Sequence, residues 1–67
     1  MRDQIRDEYE RSISKRNEIR DELRRLEKAD PKDTYAITIS RDRLAYWEGK
    51  VEGLKFAVDL IDRASRA

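Results

Sequence analysis

Cysteine and histidine are both absent from this 67-residue chain. Disulfides are therefore excluded, as are the soft ligand sets that structural zinc uses. The usual nucleophile–base pairs lose their members as well, so no catalytic residue is assigned and the chain is expected not to be an enzyme. Phosphate loops are missing too, because the only two glycines, Gly49 and Gly53, lie within a helical pattern and not after a strand. Apolar runs are a few residues long, far short of the ~20 needed to cross a bilayer. With no basic-then-apolar leader, the sequence reads as a cytoplasmic chain that has no membrane partner and needs no cofactor.

What the chain does hold is charge. Charged residues make up 46% of it and apolar ones 37%, yet the net charge is only +1. Disorder calls for low hydrophobicity together with high net charge, and only part of that description is met. Regularly spaced apolar residues fit a long helix or coiled coil better. One small domain is all this length allows, and a chain of this size buries only about 60% of its unfolded surface. Without bridges or metals, self-association is the remaining route to stability.

The one proline sits at the centre, in Ala29-Asp30-Pro31-Lys32-Asp33. Proline suits the first turn of a helix, so Asp30 reads as an N-cap, with Asp33 adding negative charge near the helix start. Arg24, Arg25 and Lys28 crowd the preceding segment's end, where cations favour a helix C-terminus. The pattern predicts helix 1 over about residues 2–29, a turn over about 30–32 and helix 2 over about 32–65, with two to four residues of error.

Helix 1 carries a heptad seam of Ile5, Tyr9, Ile19, Leu23 and Leu26, interrupted by Ser12 and Arg16. In helix 2, Ile37, Leu44, Val51 and Val58 recur every seven residues, followed three positions later by Ser40, Trp47, Leu54 and Ile61. A short connection makes the helices antiparallel, pairing Leu26 with Ile37, Ile19 with Leu44, Tyr9 with Leu54 and Ile5 with Val58. Arg16 is then expected over the face of Trp47. Thr34 to Ser40 alternates like a strand and is rich in β-branched residues, but the heptad passes through it in phase, so helix is preferred.

Helix 2 has more apolar surface than helix 1 can cover. At ~100° per residue, Ile39, Tyr46, Gly49, Gly53, Phe56 and Leu60 form a second stripe away from the seam. Each glycine costs ~1 kcal/mol in a helix interior, a cost that close approach of another backbone would explain. The fold expected is all-α: an antiparallel two-helix hairpin that dimerises into a four-helix bundle, helix 2 and its mate central. The expected function is a non-enzymatic protein-interaction or regulatory module acting as a homodimer through that stripe. A small nucleic-acid-binding dimer is the alternative, using Arg6, Arg20, Arg24 and Lys28 on one flank of helix 1 to follow phosphates. Interleaved acids such as Asp7 and Asp21 favour reading that flank as a solvated, ion-paired face.

Overall fold

The computed structural model describes residues 2–66. They form two helices, α1 over Arg2–Lys28 and α2 over Thr34–Arg66, joined by a five-residue connection over 29–33. At 1.5 Å per residue the rods are ~40 and ~50 Å long. They lie side by side, giving Cα extents of 55 × 14 × 14 Å.

Three ion pairs fix the sense of packing. Arg41 reaches Glu27 at 3.3 Å near the turn, Lys50 reaches Glu8 at 2.9 Å, and Arg6 reaches Asp62 at 3.2 Å toward the open end. Moving up α2 means moving down α1, so the helices are antiparallel. The levels of these contacts bracket the pairing expected from the heptads.

The start of α2 differs from the sequence expectation. Asp30 does not cap it, and Pro31 is not its first residue. Asp33 is the cap: its Oδ1 accepts a hydrogen bond from the Ala36 backbone N–H at 3.0 Å, and its carbonyl accepts the first helical bond from Ile37 at 3.0 Å. That satisfies one of the donors a helix N-terminus leaves unpaired. Asp30, Pro31 and Lys32 are thereby released to reverse the chain. At the other end of the connection, Ala29 N–H bonds to the Leu26 carbonyl at 3.3 Å, closing α1 with a tight turn. Arg25 and Lys28 occupy the last turn of α1, beside its unpaired carbonyls.

Residues 34–40 are helical throughout. The β-branched residues cost little there because Ile37 and Ser40 face α1 and are buried, while the Thr38 hydroxyl donates back to the Thr34 carbonyl at 2.9 Å. Packing against α1 outweighs local strand preference.

The core is narrow. Ile19, Leu23, Ile37 and Val51 are its buried apolar side chains, accompanied by Ser12 and Ser40. Leu26, Leu44, Trp47, Leu54, Val58 and Ile61 are half-buried along the same seam. Ser12 is wholly enclosed and donates its hydroxyl to the Glu8 carbonyl at 2.8 Å, so this polar member of the seam is small and satisfied. Arg16 does not cover Trp47. Its guanidinium bonds to the Asn17 side chain at 3.1 Å, and the cation over the indole is Lys50, 4.9 Å from the ring centroid. Lys50 lies three residues on from Trp47 along the same helix, within easy reach of the ring.

Candidate self-association surface

The second stripe of α2 is built from the same periodicity as its seam, on another side. Taking ~100° per residue, its centre lies roughly 150° around the helix from the side that meets α1. No part of α1 can shield it. Tyr46 is 59% exposed, Phe56 66%, Leu60 48% and Ile39 40%, and Gly49 and Gly53 are exposed between them. Beyond its immediate chain neighbours and the adjoining helix backbone, a side chain of one carbon at either glycine would meet nothing within 4 Å. Intramolecular packing therefore does not require glycine at these positions.

All six stripe positions named from the sequence share this uncovered side. Tyr35, 76% exposed, belongs with them and was overlooked. Its inclusion reveals a full alternation of four- and three-residue steps: Tyr35, Ile39, Asp42, Tyr46, Gly49, Gly53, Phe56, Leu60 and Arg63. That is a second heptad pattern, with two charged members that disguise it. Asp42 and Arg63 are both exposed, and among the described residues neither forms an ion pair within the hairpin.

One edge of the stripe is held in place by neighbours. Tyr46 meets Trp47 edge to face, with ring centroids 5.3 Å apart and planes at 65°. These two rings, Asp42 and Arg43 line an open groove that is mostly apolar. Lys50 covers the other ring and binds Glu8, so the edge of the surface is tied across the hairpin to α1. The contact holds the Glu8 carboxyl below its usual range, chiefly through the hydrogen bond from Lys50, and raises the Lys50 ammonium through the same bond.

The basic flank of α1 is partly neutralised. Arg6 donates to both oxygens of Asp62, at 3.2 and 3.4 Å, and Arg24 stands 4.0 Å from Asp21. Asp21, one of the interleaved acids, thus has its cation three residues along the same helix. Arg20 is half-buried and Lys28 exposed. Among the described residues no group of three or more acidic, histidine or cysteine side chains is arranged to hold a metal ion. No helix among them is long and apolar enough to cross a membrane.

Taken together, fold and surface define a two-helix hairpin with one apolar face shielded and another bare. No protein-family model, curated protein or solved structure matches this chain.

Proposed function

We propose that the chain is a non-enzymatic helical interaction module that works as a homodimer, recruiting or regulating another protein, with the bare side of α2 as the contact between copies. The observation that carries this reading is the exposure of Ile39, Tyr46, Phe56 and Leu60 in one row opposite α1. Soluble monomers rarely line one side of a helix with so many large exposed apolar side chains.

Area supports the same reading. The single hairpin exposes 5287 Å², whereas a compact folded monomer of 8.0 kDa would expose about 4,500 Å². The excess, roughly 800 Å², equals one partner's share of a standard protein–protein interface. Its Cα radius of gyration is 15.6 Å, against about 11 Å for a compact domain of this length. Back-to-back pairing through α2 would bury the excess and thicken the rod.

Light scattering after size-exclusion chromatography, run at several concentrations, tests the assembly. A mass twice the 8.0 kDa of one chain is expected at micromolar concentration. A chain that stays monomeric throughout that range overturns the proposal. Gly53→Leu is expected to weaken the dimer or force it to repack, since the added side chain would stand between the two helices.

A further inference from the structure

Resting on that reading, we infer that the two copies of α2 run antiparallel about a twofold axis level with Val51, so that Asp42 of each chain lies beside Arg63 of the other. The charged members of the second heptad decide the sense. In a parallel pair every residue of the stripe meets its own copy. Asp42 would then face the partner's Asp42, and Arg63 the partner's Arg63, two like-charge layers inside an apolar contact. The antiparallel arrangement removes both.

With the axis level with Val51, the layers read as follows along the stripe. Gly49 lies opposite the partner's Gly53, so the two backbones can approach most closely at the crossing. Tyr46 lies opposite the partner's Phe56, placing an aromatic pair on each side of that crossing. Asp42 lies opposite the partner's Leu60, one turn from the partner's Arg63, which is itself level with Ile39. The two Asp42 carboxylates are then ~27 Å apart along the axis. Each finds a guanidinium in its place, and neither group has an ion-pair partner within its own hairpin among the described residues.

Asp42→Asn separates the two senses by sign. Loss of two Asp42–Arg63 contacts per dimer raises the dissociation constant about 2- to 30-fold if the pairing is antiparallel. Relief of the Asp42–Asp42 layer lowers it if the pairing is parallel. The double exchange Asp42→Arg with Arg63→Asp is expected to restore affinity that Asp42→Arg alone destroys. Because the native sequence has no cysteine, a single spin label at Thr38→Cys reads the geometry directly. Antiparallel helices place the two labels about 40 Å apart, parallel ones within about 20 Å. A short distance, or a dimer tightened by Asp42→Asn, overturns the antiparallel pairing while leaving the homodimer standing. Absence of any dimer in the unlabelled protein overturns the homodimer itself.

Discussion

The Lys50 side chain joins three groups: it covers Trp47, binds Glu8 across the hairpin and borders the exposed stripe. Its pairing has a definite pH signature. Glu8 titrates below its usual 4.5 in the folded chain, so its contribution is present above that value and is lost as pH falls through the lowered one. Lys50 titrates above its usual 10.5, so its contribution is present below that value and is lost as pH rises through the raised one. Thermal melts across the acid limb should therefore flatten in Glu8→Gln relative to the parent chain. Unchanged acid sensitivity in that variant would show that other carboxylates govern the limb. At the turn, Asp33→Ala is expected to cost about 0.5–2 kcal/mol through loss of the cap, whereas Asp30→Ala, exposed, should stay within about 0.5 kcal/mol. Chemical denaturation of the two variants distinguishes the capping residue from its neighbour. From the sequence, proline's preference for the first helical turn points to Asp30 as the cap and leaves Asp33 only a favourable charge near the helix start. The Asp33 side-chain bond to Ala36 and its carbonyl bond to Ile37, with the helix starting at Thr34, assign the cap to Asp33.

At the scale of the helices, the seams were readable because seven-residue recurrence survives a polar intruder. Ser12 and Ser40 broke the apolar pattern without breaking the packing, since both are small enough to be enclosed. The second stripe was only partly readable. Tyr35, Asp42 and Arg63 complete its period, but charge at two of the three positions hid the repeat from a search for apolar residues. The cation over Trp47 was misassigned for a different reason: a cross-hairpin contact depends on fine register, while a neighbour three residues along the same helix is always close. The glycines give the sharpest element-level prediction. With open space around each in the isolated chain, Gly53→Ala should stabilise a lone hairpin by up to about 1 kcal/mol. If another backbone comes close there, the same change should weaken association. Melts and sedimentation on the one variant should move in opposite directions; a gain in both would remove the reason for glycine at the crossing.

For the whole molecule, four buried apolar side chains are a slender foundation. Ile19→Ala, at the best-enclosed of them, is expected to cost about 2–5 kcal/mol, enough to unfold much of a marginal hairpin at dilute concentration. Higher protein concentration should rescue the fold if association and folding are coupled, seen as a melting midpoint that rises with concentration. A midpoint independent of concentration would mean that the hairpin stands alone. The hairpin fold followed from periodicity and one central breaker; the sense in which two copies would pair did not, since an apolar row specifies that something should cover it and carries no direction of its own.

The single tryptophan offers a convenient optical handle on these two processes. Trp47 sits between the helices, half-shielded and capped by an ammonium group, on the seam and not among the residues that would meet a partner. Its fluorescence should thus follow parting of α1 from α2, while the adjoining Tyr46 ring turns outward toward any second molecule. Dilution that separates copies but leaves each hairpin closed would barely alter indole emission, whereas denaturant would shift it to the red.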